Sequence, residues 1–290
     1  ANVSKLFDLI MFADDTNLFI KDKNLGSLVA NANNELDKIS NWFKLNKLSL
    51  NIKKTNFILF TSRKRKLDEK PELKIDGTKI EQVRTAKFLG VVINDTLTWD
   101  DHIKTVKQKV QKNIGIIYRI RANLPSCTAL SLYFTLIHPY FEYCNIVWAV
   151  HRSSQLNKLF ICQKIAIRTI TNSKRRTHTK PLFAKLKILT LFDVNNQQVA
   201  CFMYRSTNNL LPDYFSKMFS QNSSFHAHNT RQHHHIHIIR HRLNVRRNTV
   251  HIFGPKLWNN LPTAITQSPN VFVFKRRYKK YLLLNPNFIN

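Results

Sequence analysis

The spacing of apolar residues changes near residue 100, and this change constrains the fold more than any other feature of the sequence. Before it, short apolar runs are separated by turn residues, which is typical of β-strands, and only residues 25–45 repeat apolar side chains every three or four positions. After it, helical spacing dominates over residues 100–122, 126–147 and 154–171. The sequence therefore predicts an α+β fold in which a sheet with a covering helix precedes an all-helical part.

Local signals place the predicted elements within this plan. Asn24 and Ser153 stand where helix N-caps are expected, and Pro139 should bend or break the helix that contains it. Asp76-Gly77 is a favoured two-residue hairpin turn. Two further helices are predicted within 181–211, and 271–284 is basic and amphipathic. The predicted strands are residues 6–12, 16–20, 48–52, 57–60, 73–75, 78–80 and 88–93.

The hydrophobic content of 43% can fill a core, but the charge of the chain points to a partner. Lys and Arg total 46 against 17 Asp and Glu, a formal net charge of +29. Such an excess repels itself in a compact fold unless a polyanion neutralises it, and nucleic acid is the commonest such partner. A merely soluble surface is the alternative. A membrane partner is not expected, because no stretch approaches the roughly 18 to 20 apolar residues of a spanning helix. The side chains expected to contact phosphates are Arg63, Lys64, Arg65, Lys66, Lys174, Arg175, Arg176, Arg246, Arg247, Lys275, Arg276 and Arg277.

The cysteines and histidines are weaker signals. The four cysteines lack the close pairs of a zinc knuckle or a disulfide scaffold, so we expect free thiols in a reducing compartment. A histidine-rich stretch offers candidate metal ligands. Because it lacks cysteine partners and a regular helical spacing, an exposed polar segment is the better interpretation. Its members are His226, His228, His233, His234, His235, His237, His241 and His251.

Two adjacent carboxylates, Asp14 and Asp15, lie at the tip of the first predicted hairpin, after Phe12 and Ala13. Close carboxylates repel each other, and a hard divalent cation with oxygen ligands relieves that repulsion. Mg²⁺ suits such a site better than zinc, and two such ions can activate an attacking 3′ hydroxyl and stabilise a leaving pyrophosphate. A bare Asp-Asp pair is more often a solvated turn, so its context decides how it is interpreted.

That context resembles the reverse transcriptases of non-LTR retrotransposons of the jockey and CR1 kind. Phe12-Ala13-Asp14-Asp15 matches the Asp-Asp box of the palm, residues 48–55 (Leu-Ser-Leu-Asn-Ile-Lys-Lys-Thr) the next palm motif, and residues 88–91 (Phe-Leu-Gly-Val) the primer-grip strand. In the tail, residues 228–231 (His-Asn-Thr-Arg) and 253–262 (Phe-Gly-Pro-Lys-Leu-Trp-Asn-Asn-Leu-Pro) also match. The resemblance covers nearly the whole chain.

The resemblance implies RNA-directed DNA synthesis with an RNA template, a DNA primer or target and dNTP as partners, in the nucleus and cytoplasm rather than in a secreted protein. It implies that Asp14 and Asp15 are catalytic and bind Mg²⁺, with Mn²⁺ as the alternative ion. The positions that it implies for substrate binding are Lys54, Phe88, Leu89 and Gly90. It divides the chain into a partial palm over 1–95, a helical thumb over 96–178 and a mixed, basic nucleic-acid-binding region over 179–290.

A palm of this family needs a third carboxylate from a strand upstream of the Asp-Asp hairpin. Asp8 is the only acid before Phe12 and is too close along its own strand, whereas Asp95, Asp100 and Asp101 suit a turn and a helix start. We therefore expect the downstream part of a polymerase, inactive by itself. The alternative is a non-catalytic nucleic-acid-binding remnant.

Overall fold

The structure is a computed structural model that describes residues 4, 6–61, 70–150, 153–225, 232–242, 244–247 and 249–285. The chain divides into two compact units, Ala1–Thr98 and Trp99–Asn290. Helices account for 56% of the described residues and the strands form small sheets, which confirms the predicted α+β class. Within the described ranges, no helix combines the length and the apolar character that crossing a membrane requires.

The first unit contains one long helix and four two-stranded sheets among its described residues. Strands β1–β2, β4–β5 and β7–β8 are antiparallel hairpins, and β3 pairs with β6 in parallel. The bounds are β1 Asp8–Phe12, β2 Asp15–Phe19, α1 Leu25–Leu45, β3 Asn56–Phe57, β4 Lys74–Ile75, β5 Thr78–Lys79, β6 Glu81–Gln82, β7 Thr85–Phe88 and β8 Val91–Asn94.

Helix α1 organises the core of this unit. The predicted cap is confirmed, because the Asn24 side chain accepts hydrogen bonds from the backbone N–H groups of the first turn. Leu36 of α1 packs with Ile75 and Ile80 in a small buried cluster. Asn33 of α1 also hydrogen-bonds to β4, since its Oδ1 accepts from Lys74 N at 2.9 Å. The sheet face is thus covered by the predicted helix.

Three strand predictions in this unit are wrong. Residues 48–51 are irregular and lead into a 3₁₀ turn, Ile52–Lys54. The Asn51 side chain accepts a hydrogen bond from the backbone of this turn, which competes with hydrogen bonding to a neighbouring strand. Beyond Phe57, residues 58–60 pair with no strand in the described residues. Residues 88–93 are the end of β7, a turn at Leu89 and Gly90, and the start of β8, where one continuous strand was expected.

The second unit is helical. Residues 126–147, predicted as one helix broken or bent at Pro139, form three, and Pro139 lies in the first turn of the second, where its missing N–H costs nothing. Asp100 and Asp101 lie in the first turn of α2 but do not cap it, since Trp99 holds the N-cap position. The helices are α2 Asp100–Ile120, α3 Ser126–Leu136, α4 His138–Glu142, α5 Asn145–Trp148, α6 Ser154–Ile170, α7 Thr179–Leu186, α8 Leu191–Thr207, α9 Asp213–Ser216, α10 Asn244–Arg247, α11 Val250–Asn259, α12 Thr263–Thr266 and α13 Val271–Leu284.

The α2–α6 pair and the central helix α8 form the main core. Val110 and Ile117 of α2 are fully buried with Leu159 of α6 in one apolar cluster. Gln163 of α6, also fully buried, holds the α7–α8 connection, since it donates to Leu189 O at 3.0 Å and accepts from Leu191 N at 2.7 Å. This polar link fixes α6 against the start of α8.

Two helices from the C-terminal part of the chain, α11 and α13, pack on α8. At Gly254 of α11 the backbone approaches α8 so closely that an added Cβ would lie 2.6 Å from Sδ of the buried Met203. The Asn259 side chain bonds both backbone groups of Ile236, donating to its carbonyl at 2.9 Å and accepting from its N–H at 3.0 Å. Ile236 also bridges to Gln221, so segment 221–236 is closed at its base. The tail motif 253–262 is therefore a packing motif.

Candidate active site and nucleic-acid interface

The Asp-Asp pair lies where a hairpin reverses direction, as predicted, although Asp15 already belongs to β2. The register pairs Phe12 with Asp15, so the turn consists of Ala13 and Asp14. Ala13 adopts a left-handed backbone with φ of 52°, which is uncommon for a residue with a side chain. Both carboxylates are exposed, and neither forms an ion pair with any described residue. Both carboxylates are thus open to solvent at the end of the hairpin.

The strands below this turn expose apolar side chains to an unusual extent. Met11 is 66% and Phe12 60% exposed, and every residue of β1 is exposed. Within the described residues β1 pairs only with β2, so the outer edges of both strands lack a neighbour. Phe7 and Leu18 anchor the hairpin to the cluster around Leu36. The hairpin is fixed from beneath and open at its edges and tip.

Lys54 is exposed at the end of the 3₁₀ turn. The Asn51 Oδ1 accepts from the Lys54 N–H at 3.3 Å and thereby orders the turn. Leu50 and Ile52 pack against the same cluster as Leu18 of the hairpin. One small core therefore supports both the carboxylate hairpin and the lysine turn, which the sequence assigned to separate motifs.

The predicted primer-grip residues lie on a hairpin turn. Leu89 and Gly90 have φ values of 44° and 82°, a left-handed pair that suits a tight two-residue turn and requires the freedom of glycine at the second position. Phe88 and Val91 are the last and first paired residues of β7 and β8. Leu89 and Gly90 thus form an exposed hairpin turn where a strand was expected.

Asp8 and Asp95, neither of which the sequence favours as a third ligand, lie away from the turn of their own hairpins. Asp8 lies at the far end of β1, paired with Phe19, and Asp95 follows β8. No group of three or more His, Cys, Asp or Glu side chains that could hold a metal ion forms in the part of the chain that the structure describes. Within the described ranges, the carboxylates adjacent at this hairpin turn are those of Asp14 and Asp15.

The predicted phosphate contacts fall into several separate groups. Arg63, Lys64, Arg65 and Lys66 lie outside the described residues, as do His226, His228 and the motif at 228–231. Arg246 and Arg247 are exposed on α10, and Lys275 and Arg276 on α13. Arg277 also donates to the carbonyl of Ala264 in α12 at 2.9 Å.

Lys174, Arg175 and Arg176 are exposed on the connection between α6 and α7, beside a cleft between α2 and α6. This cleft adds three residues that the sequence reasoning missed, Tyr118, Arg121 and Arg168. The i, i+3 spacing of Tyr118 and Arg121 at the C-terminal end of α2 was visible, but their proximity to Arg168 of α6 depends on helix packing. The basic surface therefore has a defined concave region.

Comparison with known proteins supplies relatives of this chain. No protein-family model and no solved structure matches it. It is 24% identical over 163 residues to the probable RNA-directed DNA polymerase from transposon X-element of Drosophila melanogaster, which covers 55% of this chain and 18% of that protein. It is 23% identical over 185 residues to the RNA-directed DNA polymerase from mobile element jockey of the same organism, covering 63% of this chain and 20% of that protein.

A third relative, the probable RNA-directed DNA polymerase from transposon BS of Drosophila melanogaster, is 23% identical over 168 residues. The chain spans about a fifth of the length of the curated relatives it matches. The predicted resemblance to non-LTR reverse transcriptases is confirmed over 55–63% of this chain, a stretch too short to include both the Asp-Asp box and the tail motifs: this chain is similar to RNA-directed DNA polymerases of non-LTR mobile elements.

Proposed function

We propose that this chain is the Asp-Asp box, thumb and C-terminal part of a non-LTR reverse transcriptase, acting on an RNA template, a DNA primer and dNTP in the nucleus and cytoplasm. The observation that carries the proposal is the β1–β2 hairpin: its carboxylates are exposed at the tip, and its apolar strands lack outer neighbours within the described residues. An unpaired apolar edge is the place where a further strand adds to a sheet. In a palm, such a strand would carry the third carboxylate.

The donor set fits a hard cation in part. Asp14 and Asp15 offer exposed oxygen ligands of the kind that Mg²⁺ or Mn²⁺ prefers. Such ions, held between carboxylates and substrate phosphates, stabilise the attacking and leaving oxygens of phosphoryl transfer. Because two carboxylates do not complete the site, we propose that this chain alone does not polymerise at a measurable rate.

The remaining roles follow from the surrounding residues. Lys54, on the same small core as the hairpin, would contact the incoming triphosphate through its ammonium group. The exposed turn at Leu89 and Gly90 would contact the primer, since glycine permits close backbone approach. Residues 96–178 would form the thumb and 179–290 a basic region that holds nucleic acid.

The metal role can be tested without polymerisation. Fe²⁺ bound in place of Mg²⁺ reduces added hydrogen peroxide to a hydroxyl radical and hydroxide, and added ascorbate returns the resulting Fe³⁺ to Fe²⁺. The radical cleaves nearby backbone, so we expect cleavage next to residues 13–16 that excess Mg²⁺ suppresses. Asp14→Ala should abolish this cleavage. Asp37→Ala, which removes an exposed carboxylate from α1, is the matched control and should retain it. Cleavage that is equal in both variants would show that the hairpin holds no metal.

A non-catalytic nucleic-acid-binding role is the second candidate, because the exposed cations of α10, α13 and the α6–α7 connection can bind phosphates without catalytic carboxylates. The +29 charge fits both roles equally. Primer extension on an RNA template separates the two. Synthesis that Asp14→Ala abolishes and Asp37→Ala preserves would show a complete active site. No synthesis, with salt-sensitive RNA binding unchanged or slightly tighter in Asp14→Ala, fits the binding role, since a negative charge is removed.

A further inference from the structure

The cleft between α2 and α6 combines two surface types that are usually separate. It has a volume of 640 Å³, within the range of small-ligand sites, which is about 300 to 1,000 Å³. Its apolar floor includes the buried Ile114 and the half-buried Gly115, and its rim includes the cations Arg121, Arg168 and Lys174. The exposed Ile165 also lines it. None of the described residues that line it is acidic. The cleft is apolar below and strongly cationic above.

Space in the floor comes from Gly115. A Cβ added at this position would meet no atom within 4 Å, so the helix leaves room where most residues would fill it. Burial raises the pKa of the Cys162 thiol, which also lines the cleft and therefore stays neutral at physiological pH. The floor can accept a flat apolar group without burying a charge.

An aromatic platform stands at one side of the cleft. Tyr118 is 57% exposed, and the Arg121 guanidinium lies 3.8 Å from the centre of its ring. Planar guanidinium groups and aromatic rings both stack on nucleic-acid bases, and this stacking is tolerant of sequence. The pair is therefore suited to a base that has left its own stack.

Hydrogen bonds hold the cationic rim in place. Arg168 donates through Nε to Thr177 O at 2.9 Å, which fixes its plane and leaves its terminal amino groups for an anion. Ser173 N bonds Arg168 O at 2.9 Å, and Thr177 N bonds Lys174 O at 3.0 Å. The turn that carries Lys174 and Arg175 is thus preformed against the end of α6, and phosphate binding needs little reordering.

We propose that this cleft binds single-stranded nucleic acid by taking one unstacked base onto Tyr118 and the apolar floor while the rim cations hold the flanking phosphates. A duplex keeps its bases stacked and would use only the rim. An acidic polypeptide has no ring to place on the floor unless it supplies an aromatic side chain. The proposal does not use Asp14 or Asp15, so it stands or fails independently of polymerisation.

The test compares two labelled strands of about 12 nucleotides, an ordinary oligothymidylate and an abasic strand of equal charge, by fluorescence anisotropy at fixed salt. Tyr118→Ala should weaken binding of the ordinary strand roughly tenfold, and Tyr118→Phe should restore it. Gly115→Leu, which fills the floor without changing charge, should weaken it similarly. The abasic strand should bind these variants as it binds the wild type.

Two control variants separate the cleft from the general charge. Gln108→Leu adds the same side chain as Gly115→Leu to α2 outside the cleft lining and should leave both strands unaffected. Arg175→Glu should weaken both strands more than Lys158→Glu, an equal charge change on the exposed part of α6 away from the rim. Photo-crosslinking of a 4-thiouridine strand should map to the peptide that contains Tyr118.

Three results would overturn the proposal. The first is equal affinity for ordinary and abasic strands together with no effect of Gly115→Leu, which would mean binding by charge alone. The second is a duplex whose binding is stronger than that of the single strand and equally sensitive to Tyr118→Ala. The third is competition by an acidic polypeptide that Gly115→Leu abolishes, which would identify a protein as the occupant.

Discussion

Substitution of Gly254 by alanine should destabilise the helical unit, although alanine is a better helix former than glycine. The new Cβ would lie 2.6 Å from Sδ and 3.3 Å from Cγ of Met203, which is fully buried on α8 and has little freedom to move away. Overpacking of this kind costs about 1 to 3 kcal/mol. Alanine before Pro255 also meets the proline ring, which disfavours the helical conformation for any residue with a side chain. Alanine recovers only about 1 kcal/mol of helix propensity, so we expect a net loss of about 2 kcal/mol.

Gly115→Ala is the matched control, because the same substitution within α2 meets open space and should stabilise by up to about 1 kcal/mol. Urea unfolding followed by tryptophan fluorescence in a Trp42→Phe background reports on the second unit, where Trp99, Trp148 and Trp258 lie. Combining Gly254→Ala with Met203→Ala should reduce the cost of the glycine substitution by about 1 to 3 kcal/mol, the coupling expected of residues in contact. Equal shifts for the two glycine variants, or no coupling to Met203, would refute the packing argument.

Two further predictions concern the buried polar groups of the second unit. Burial beside Trp148 lowers the pKa of His102 to about 4, below the value of about 6.5 expected in the unfolded chain. The stability that the neutral ring contributes is therefore complete above about pH 6.5 and is lost as the pH falls towards 4. His102→Gln should remove up to about 3 kcal/mol of stability change between pH 7 and 4, seen in urea midpoints, and an unchanged pH profile would contradict this. Gln163→Leu should cost about 2 to 4 kcal/mol, because it leaves the buried Leu191 N–H, Leu189 carbonyl and Tyr133 hydroxyl without their partner. Gln108→Leu, at an exposed position of α2, should change the free energy of unfolding by less than about 0.5 kcal/mol. Similar losses for Gln108→Leu and Gln163→Leu would show that the Gln163 hydrogen bonds contribute little to stability.

Local signals predicted the elements whose ends are set by their own residues. Asn24 caps α1 and Ser153 caps α6, each through its own side chain and the first turn that follows, so neighbouring sequence was sufficient. The turn at Leu89 and Gly90 was missed because it interrupts a continuous apolar run and lacks the Asn-Gly or Asp-Gly pair that marks such turns. The 3₁₀ turn at Ile52–Lys54 was missed for a related reason, since one asparagine side chain outweighed the strand preference of the surrounding residues.

The candidate sites divide in the same way. The Asp-Asp hairpin was visible because both strands and the turn lie within a few residues of one another. The shared core beneath the hairpin and Lys54, and the proximity of Tyr118 to Arg168, depend on contacts between segments far apart in the chain. Apolar periodicity shows that a helix buries a face but does not identify its partner. The α2–α6 cleft therefore required the structure.

The two hydrogen bonds between the Asn259 side chain and Ile236, together with the bridge from Ile236 to Gln221, affect where sequence length can vary among relatives of this chain. The described residues of this segment are also joined to each other, since Asn222 N donates to His235 O at 2.9 Å and Ser223 N to His233 O at 3.1 Å. Residues added between Ser223 and His233 would therefore act mainly through the entropy of closing a longer segment, which grows with the logarithm of length, so that doubling the length costs about 0.6 kcal/mol. Insertions and deletions between Ser223 and His233 should thus accumulate readily, while Asn259 remains fixed, and a reporter peptide can be inserted in the same interval without disturbing the helices.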